Sequence, residues 1–424
     1  MISAKTVFRL AWPSAFGLLL AVFLPGGAFA QQSFTWQQLR ARFEATNPTL
    51  KAGELNITES KAQEITAYLR PNPDLTMTLD QINPFTIHPY RPFVYALPFV
   101  TGSYLHERRN KRELRLESAQ KATAIAISQQ ADLERNLLFS LRNAFVQTLQ
   151  AKAVVALSKE NLDYYDRVLS ISREQFKAGD IAQIDLDRLE LQRVQYESDL
   201  QTAQVNLRTA KIQLLMLLND RMPVDQFDVT GTFDFNDQLQ ALDDFHKMAI
   251  ENRPDLKAAV QAVDKAHTDH RLAVANGSTD PVFGMDFARN PPIPFYFGVS
   301  VTIPLRIFDR NQGEKIRTQV DIGHAERLRD ANEAQVFSDV DSAWETLNSN
   351  LSLLRPYKAK YLQQAVKVRD TVTFAYQHGG ASLLDFLSAQ NDYRAIQLNY
   401  LNLVGSYLTA ASQLNLAVGR EAIP

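Results

Sequence analysis

Cysteine is missing from the 424-residue chain. Disulfides, thiol catalysis and thiolate metal sites are therefore excluded, and no lipid attached through an N-terminal cysteine is expected. A bias of charge is missing too. The chain carries 45 Lys+Arg against 47 Asp+Glu, a formal net charge of −2, which is no electrostatic footprint for nucleic acid. Beyond the first thirty residues no segment approaches the run of about 18 apolar residues that a transmembrane helix needs. If the protein spans a membrane, it does so with strands. Helix breakers are sparse, with 16 Gly and 18 Pro, and they are unevenly placed. No proline lies between Pro98 and Pro223, and the only glycines in that stretch are Gly102 and Gly179.

What is present begins with an export segment. Lys5 and Arg9 precede an apolar stretch from Ala11 to Leu24, which ends at Ala28-Phe29-Ala30, a small-x-small cleavage pattern. Residues 1–30 are read as a signal peptide, with the mature chain starting at Gln31. Hydrophobic content of 45% then supports a packed protein. The unbroken stretch is rich in Ala, Leu, Gln, Glu, Arg and Lys, all good helix formers. Leu138, Leu141, Phe145 and Leu149 recur at three- and four-residue spacing, as do Leu162, Tyr165 and Leu169. The spacing predicts one helix from about His106 to Phe176, roughly 105 Å long at 1.5 Å per residue. A turn over Lys177–Gln183 and a second helix from about Ile184 to Leu218 complete a long antiparallel hairpin.

The same order then recurs. Asn47-Pro48-Thr49-Leu50-Lys51-Ala52 resembles Arg253-Pro254-Asp255-Leu256-Lys257-Ala258. Phe176-x-x-Gly179 with Asp185 and Leu186 matches Tyr376-x-x-Gly379 with Asp385 and Phe386. Both offsets are about 200 residues, which argues for a duplicated unit rather than a short-period solenoid. The units are 31–236 and 237–424. Each carries two candidate strands after its first helix. Asp74–Asp80 alternates polar and apolar residues, and Phe93–Tyr104 follows, weakened by Pro98. Val282–Ala288 and Phe295–Leu305 are their counterparts, with Pro291, Pro292 and Pro294 between them. Closed bacterial barrels begin at about eight strands, so four cannot close alone. Two copies would give eight and three would give twelve. The reading from another class makes the strands a small sheet on a soluble periplasmic coiled-coil scaffold or adaptor.

The order helix, two strands, long helix, glycine turn, helix, all duplicated, resembles the TolC family of outer-membrane efflux proteins. So do the two tip motifs, Phe176-Lys177-Ala178-Gly179 through Asp185 and Tyr376-Gln377-His378-Gly379 through Asp385. The resemblance covers nearly all of residues 35–419. It implies a mainly α fold with a membrane β-barrel contribution: long helical hairpins forming a periplasmic tunnel, and four strands per subunit completing a trimeric twelve-stranded barrel. Pro71-Asn72-Pro73 and Pro356, expected inside the last long helix, resemble the heavy-metal efflux branch. The implied role is a passive exit duct in the outer membrane for substrates, metal cations among them. Its implied partners are a periplasmic adaptor, an inner-membrane pump of the RND type and outer-membrane lipid.

No catalytic constellation stands out, and no cofactor is expected. His267 and His270 lie three apart on a helix, but a metal site needs more ligands. These two, and His378 at the second tip, are read as solvated. Asp243-Asp244 is read as part of a solvated connection between the units. There is no Gly-rich phosphate loop. The tip carboxylates carry more weight. Asp185 and Asp385 follow the glycine turns at the start of the returning helices, where negative charge favours the helix by about 0.3–1 kcal/mol. Around a threefold axis each would also form an acidic ring that favours cations. The family lines its closed periplasmic end with acidic residues. Asp385 matches that pattern, whereas the family's second carboxylate is Ser388 here, and Asp187 is a further candidate. Phe176, Gly179, Asp185, Asp187, Tyr376, Gly379, Asp385 and Ser388 are the expected aperture and adaptor-docking residues.

Overall fold

A computed structural model describes residues 32–85, 89–290 and 292–423. The export segment, residues 1–30, and Pro291 of the second strand connection lie outside these residues. The first half runs β1 (Gln32–Phe34), α1 (Trp36–Thr46), α2 (Pro48–Tyr68), β2 (Asp74–Asp80), β3 (Leu97–Leu105), α3 (Lys111–Ala178) and α4 (Gln183–Leu217). The second runs β4 (Phe227–Val229), α5 (Leu242–Asn252), α6 (Pro254–Asn276), β5 (Val282–Asn290), β6 (Ile293–Thr302), α7 (Gln312–Pro356), α8 (Leu362–Gln377) and α9 (Leu383–Val418).

The two similar hexapeptides are helix–proline–helix joints. Asn47 ends α1 and caps α2, its side chain accepting from the N–H of Thr49 at 2.9 Å and of Leu50 at 3.1 Å. Pro48 takes the first helical position, where a missing N–H costs nothing. Arg253-Pro254 makes the same joint between α5 and α6, but caps differently. The buried Arg253 guanidinium binds Asp255 at 2.5 Å and Asp339 at 2.8 Å. Helices α1 and α5 are absent from the sequence reading. Thr35 and Gln38 form a reciprocal capping box at the start of α1, a signal readable in the sequence. Asp243 and Asp244 are exposed as expected, but they belong to the first turn of α5 and not to a loop. There their charge complements the unpaired N–H groups.

With no proline or interior glycine, α3 runs for 68 residues, about 100 Å. It starts five residues later than expected. Arg109 and Asn110 take φ of 60° and 53°, and two consecutive left-handed residues cannot continue a right-handed helix. It packs along α2, α4, α6 and α9. Pro356 lies inside the helix, as expected. It is the last residue of α7, and Tyr357–Tyr361 form one π turn that carries the helical backbone on into α8. Proline has no N–H for the carbonyl four residues back, and the wider turn absorbs the gap.

Strands β2, β3, β5 and β6 form one antiparallel sheet in that order. The boundaries differ from expectation at β3 and β6, and β5 runs two residues further than expected, to Asn290. Residues 93–96 form a turn, with the Ala96 N–H donating to the Phe93 carbonyl at 3.1 Å. Pro98 sits one residue inside β3, where the ladder has only just begun. Pro304 lies two residues beyond the end of β6, which begins earlier than expected, at Ile293. Register sorts the side chains by face. Leu75 pairs with Gly102, Gly102 with Met285, and Met285 with Val299. Met77, Val100, Phe287 and Phe297 form a second such row. The opposite face carries Asp74, Ser103, Gly284 and Ser300, then Thr76, Thr101, Asp286 and Gly298. One face is therefore apolar and exposed, the other polar. Edges β2 and β6 have no strand partner among the described residues.

Three apolar clusters hold the helices. One joins α1, α3, α4 and the parallel pair β1–β4 through Leu39, Phe43, Leu141, Leu214 and Phe227. A second joins α5, α7 and α9 through Phe245, Val340, Leu347, Val404 and Leu414. The third lies at the glycine turns. No helix among the described residues is long and apolar enough to cross a membrane.

Candidate functional site: the helix tips

Both hairpins turn on a left-handed glycine. Gly179 has φ +86° and Gly379 φ +74°, conformations that L side chains rarely adopt. Nothing lies within 4 Å of where a Cβ would sit at either. The glycines therefore serve the backbone and not a close approach. Gly179 closes α3, its N–H donating to the Phe176 carbonyl at 3.0 Å, and Gly379 donates to the Tyr376 carbonyl at 3.1 Å.

Asp185 and Asp385 stand in the first turns of α4 and α9. Their local chemistry differs. Ser382 caps α9: its hydroxyl donates to Asp385 Oδ2 at 2.7 Å and its N–H donates to the same oxygen at 3.1 Å, while the Asp385 N–H returns a bond to Ser382 Oγ. The Ser382 hydroxyl, and then its N–H, hold the Asp385 carboxyl below the usual carboxylate range. The equivalent of Ser382 in the first hairpin is Ala182, which provides no side-chain cap. Asp185 is half-buried, and its charge adds to the effect of burial in pushing the Tyr376 hydroxyl up. Asp187 is exposed and accepts from Gln183 Nε2 at 2.7 Å. Ser388 is exposed on the next turn of α9. His378 is exposed too, its ring against Phe374 and its Nδ1 2.8 Å from the Phe374 carbonyl, which makes it a local helix-end contact.

Beneath the turns the two hairpins share an aromatic core. Tyr165 stacks on Tyr196 at 4.7 Å, and Tyr376 on Phe386 at 4.9 Å. Tyr165 and Phe386, centroids 6.3 Å apart, join the hairpins. Burial pushes the Tyr196 hydroxyl up to about 12. Phe176 packs on the margin of this cluster. Phe176 and Tyr376, singled out as equivalent in sequence, thus reach one core to different depths.

Polar clamps link the hairpins above it. Gln175 Nε2 donates to the Gln377 carbonyl at 2.9 Å, and Tyr164 lies 3.1 Å from Thr373 Oγ1. Arg369 is sandwiched between Tyr164 at 4.4 Å and Tyr393 at 4.1 Å. Arg394 pairs with Asp199. Sequence reasoning missed these contacts, because those between the hairpins join residues about 200 positions apart and neither partner has a local signature. Ser172 Oγ and Tyr376 Oη are buried without a hydrogen-bond partner. The tip is therefore well packed but incompletely bonded.

The histidines of α6 do not converge. His267 is exposed, while His270 Nδ1 lies 3.0 Å from Thr318 Oγ1. No group of three or more metal-ligating side chains comes together among the described residues.

Residues 289–420 match the family described as outer membrane efflux protein. The cobalt-zinc-cadmium resistance protein CzcC of Cupriavidus metallidurans is 24% identical over 387 residues, which span 88% of this chain and 87% of that protein. A crystal structure of CusC, described as undergoing transmembrane channel formation, superposes with a TM-score of 0.76 at 15% identity, covering 94% of this chain and 96% of the other. The open state of the MtrE outer membrane channel of Neisseria gonorrhoeae superposes with a TM-score of 0.72 at 16% identity, covering 91% and 89%. A family match over the end of the chain, a relative aligned along nearly all of it and a shared fold from strands to tips agree: the chain is similar to outer membrane efflux proteins.

Proposed function

We propose that three copies of this chain form a passive exit duct through the outer membrane, fed by an inner-membrane pump through a periplasmic adaptor. One observation carries the reading. A four-stranded sheet with one apolar and one polar face, and with both edges unpaired, tops a helical shaft about 100 Å long. An apolar outer face suits lipid, a polar inner face suits an aqueous lumen, and free edges demand further copies. Three copies supply twelve strands. The soluble-scaffold alternative leaves the rows through Met285 and Phe287 facing water. We read residues 31–236 and 237–424 as the two halves of a duplication, each with one hairpin of strands and one of helices.

The gate sits at the tips. Asp385 forms the aperture ring in this reading, Asp185 supports it through Tyr376, and Asp187 and Ser388 face the aperture or the adaptor. Gly179 and Gly379 are the pivots. Phe176 and Tyr376 seat the pivots on the shared core. Opening splays α8–α9 away from α3–α4 by breaking the Gln175–Gln377 and Arg394–Asp199 links. Energy comes from a pump of the RND type, and the duct itself does no chemistry. Divalent metal cations are the cargo class, supported by the relative named for cobalt, zinc and cadmium resistance. An acidic ring at the entrance fits that cargo.

Single-channel recording tests the gate. Asp385→Asn is expected to change conductance and lower cation preference, and unaltered recordings would remove Asp385 from the gate. Deleting the protein with its partners and scoring survival on zinc, cobalt and cadmium against organic toxicants tests the cargo.

A further inference from the structure

The strands meet the helices at four connections, and two of them build a cationic recess. Arg70 follows α2, and Arg108 and Arg109 lie between β3 and α3. Together with Tyr104, His106 and Arg112 they line a concavity of about 430 Å³. Its two carboxylates are already engaged. Glu107 grips Arg115, with Nη2 at 2.9 Å from Oε2, and Glu113 accepts from Arg112 at 2.7 Å. Arg70, Arg108 and Arg109 have no ion-pair partner among the described residues, and all three are exposed.

The recess is built rather than frayed. The Arg108 N–H donates to Asp280 Oδ1 at 2.9 Å, and the buried Lys111 ammonium binds Asp280 Oδ2 at 2.5 Å. Both tie this connection to the one entering β5. Arg109 holds φ +60°, which turns the chain out of the strand and into α3. Pro71 and Pro73 restrict the connection after Arg70. Arg112 stacks on Tyr68 at 4.5 Å.

The level of the recess identifies its occupant. On the strand side the apolar face begins at once with Leu75 and Phe283. At the sheet's other edge the β6–α7 connection carries Leu305 and Phe308, 79% and 89% exposed, beside Arg306. Apolar side chains and unpaired arginines at one level mark the water boundary of a bilayer. We infer that the recess between Arg70, Arg108 and Arg109 binds the phosphate of an anionic phospholipid in the leaflet facing the helices. It anchors the duct at the level where barrel becomes tunnel. Guanidinium forks suit phosphate oxygens, and the excess positive charge selects an anionic lipid over a zwitterionic one.

The inference rests on the sheet lying in the membrane, and the test separates the two. Full-length protein in non-ionic detergent is titrated with phosphatidylglycerol, with phosphatidylcholine and with inorganic phosphate while thermal unfolding is followed. Phosphatidylglycerol is expected to raise the melting temperature most, inorganic phosphate not at all. Affinity should fall about fivefold for each arginine removed in the series Arg70→Gln, Arg108→Gln, Arg109→Gln. The triple Lys variant keeps the charge and should retain most of the shift. Arg221→Gln with Arg327→Gln, placed away from the strands, should leave it intact. An equal response to both lipids, an equal response to inorganic phosphate, or a triple Gln variant that responds like the parent would overturn the lipid site. Failure to insert into vesicles of either lipid would overturn the membrane reading and this site with it. Insertion without lipid preference would overturn the site alone.

Discussion

At Asp385 a hydroxyl sets the charge of a candidate gate. Ser382 donates twice to that carboxylate and holds its pKa down. A depressed carboxyl keeps its charge above the ordinary carboxylate range and through it, losing it only as pH falls through the lowered value. The capping bond therefore contributes stability above the unfolded pKa that disappears on acidification. Ser382→Ala removes the larger of the two donors. Its Asp385 should protonate at a higher pH, so the pH at which cation preference fades should rise. Mutual repulsion within a ring raises both forms alike and leaves the sign of the difference unchanged. Reversal potentials in planar bilayers across a pH series measure the midpoint, and equal midpoints for parent and variant would sink the coupling. The first hairpin has Ala182 in the place of Ser382 and so no hydroxyl to remove, which confines this effect to the second tip.

Elements carry their own evidence of environment. On β5 and its neighbours Met285 belongs to the apolar face, and Thr76 on β2 to the polar one. Met285→Arg should cost about 2–4 kcal/mol if that face meets the middle of a bilayer. Thr76→Arg should cost far less, because its face meets water in the barrel. Melting of the detergent-resistant oligomer gives both numbers. Equal costs would mean the sheet is not membrane-embedded. These faces were legible in the sequence wherever alternation was clean, as over Asp74–Asp80, whose bounds the structure reproduces. They were less legible at β3, where Pro98 obscured the period and a turn at 93–96 passed for strand. Long helices were legible from missing breakers, but their starts were not, since nothing local announces that Arg109 and Asn110 turn left-handed. The short helices α1 and α5 escaped because their apolar faces are only two buried residues deep. The tip glycines and aspartates were legible because a turn needs φ > 0 and a helix start favours an acid. The aromatic core and the Arg369 sandwich were not, since tertiary packing alone creates them.

The whole molecule is defined by what one copy leaves undone. Within the chain the strands run β2-β3-β5-β6, and the outer two offer unpaired N–H and C=O groups that lipid cannot satisfy. The lowest-cost remedy is to pair β6 of one copy with β2 of the next until the ring closes. Head-to-tail pairing generates a closed ring only if the rotation per copy divides a full turn, and otherwise yields open chains. The absence of cysteine makes this directly measurable. Thr76→Cys on β2 and Ser300→Cys on β6 place single thiols on the polar faces of the two edges, in a background with no native thiol. Adjacent strands lie about 4.8 Å apart, so a short bismaleimide reaches between neighbouring copies. The double variant in membranes should give covalent dimers and trimers and stop there, while either single variant should give far less product. Ladders running past three chains would mean an open assembly. A ladder ending at two would mean an eight-stranded barrel, and no cross-link at all would return the sheet to a single soluble subunit.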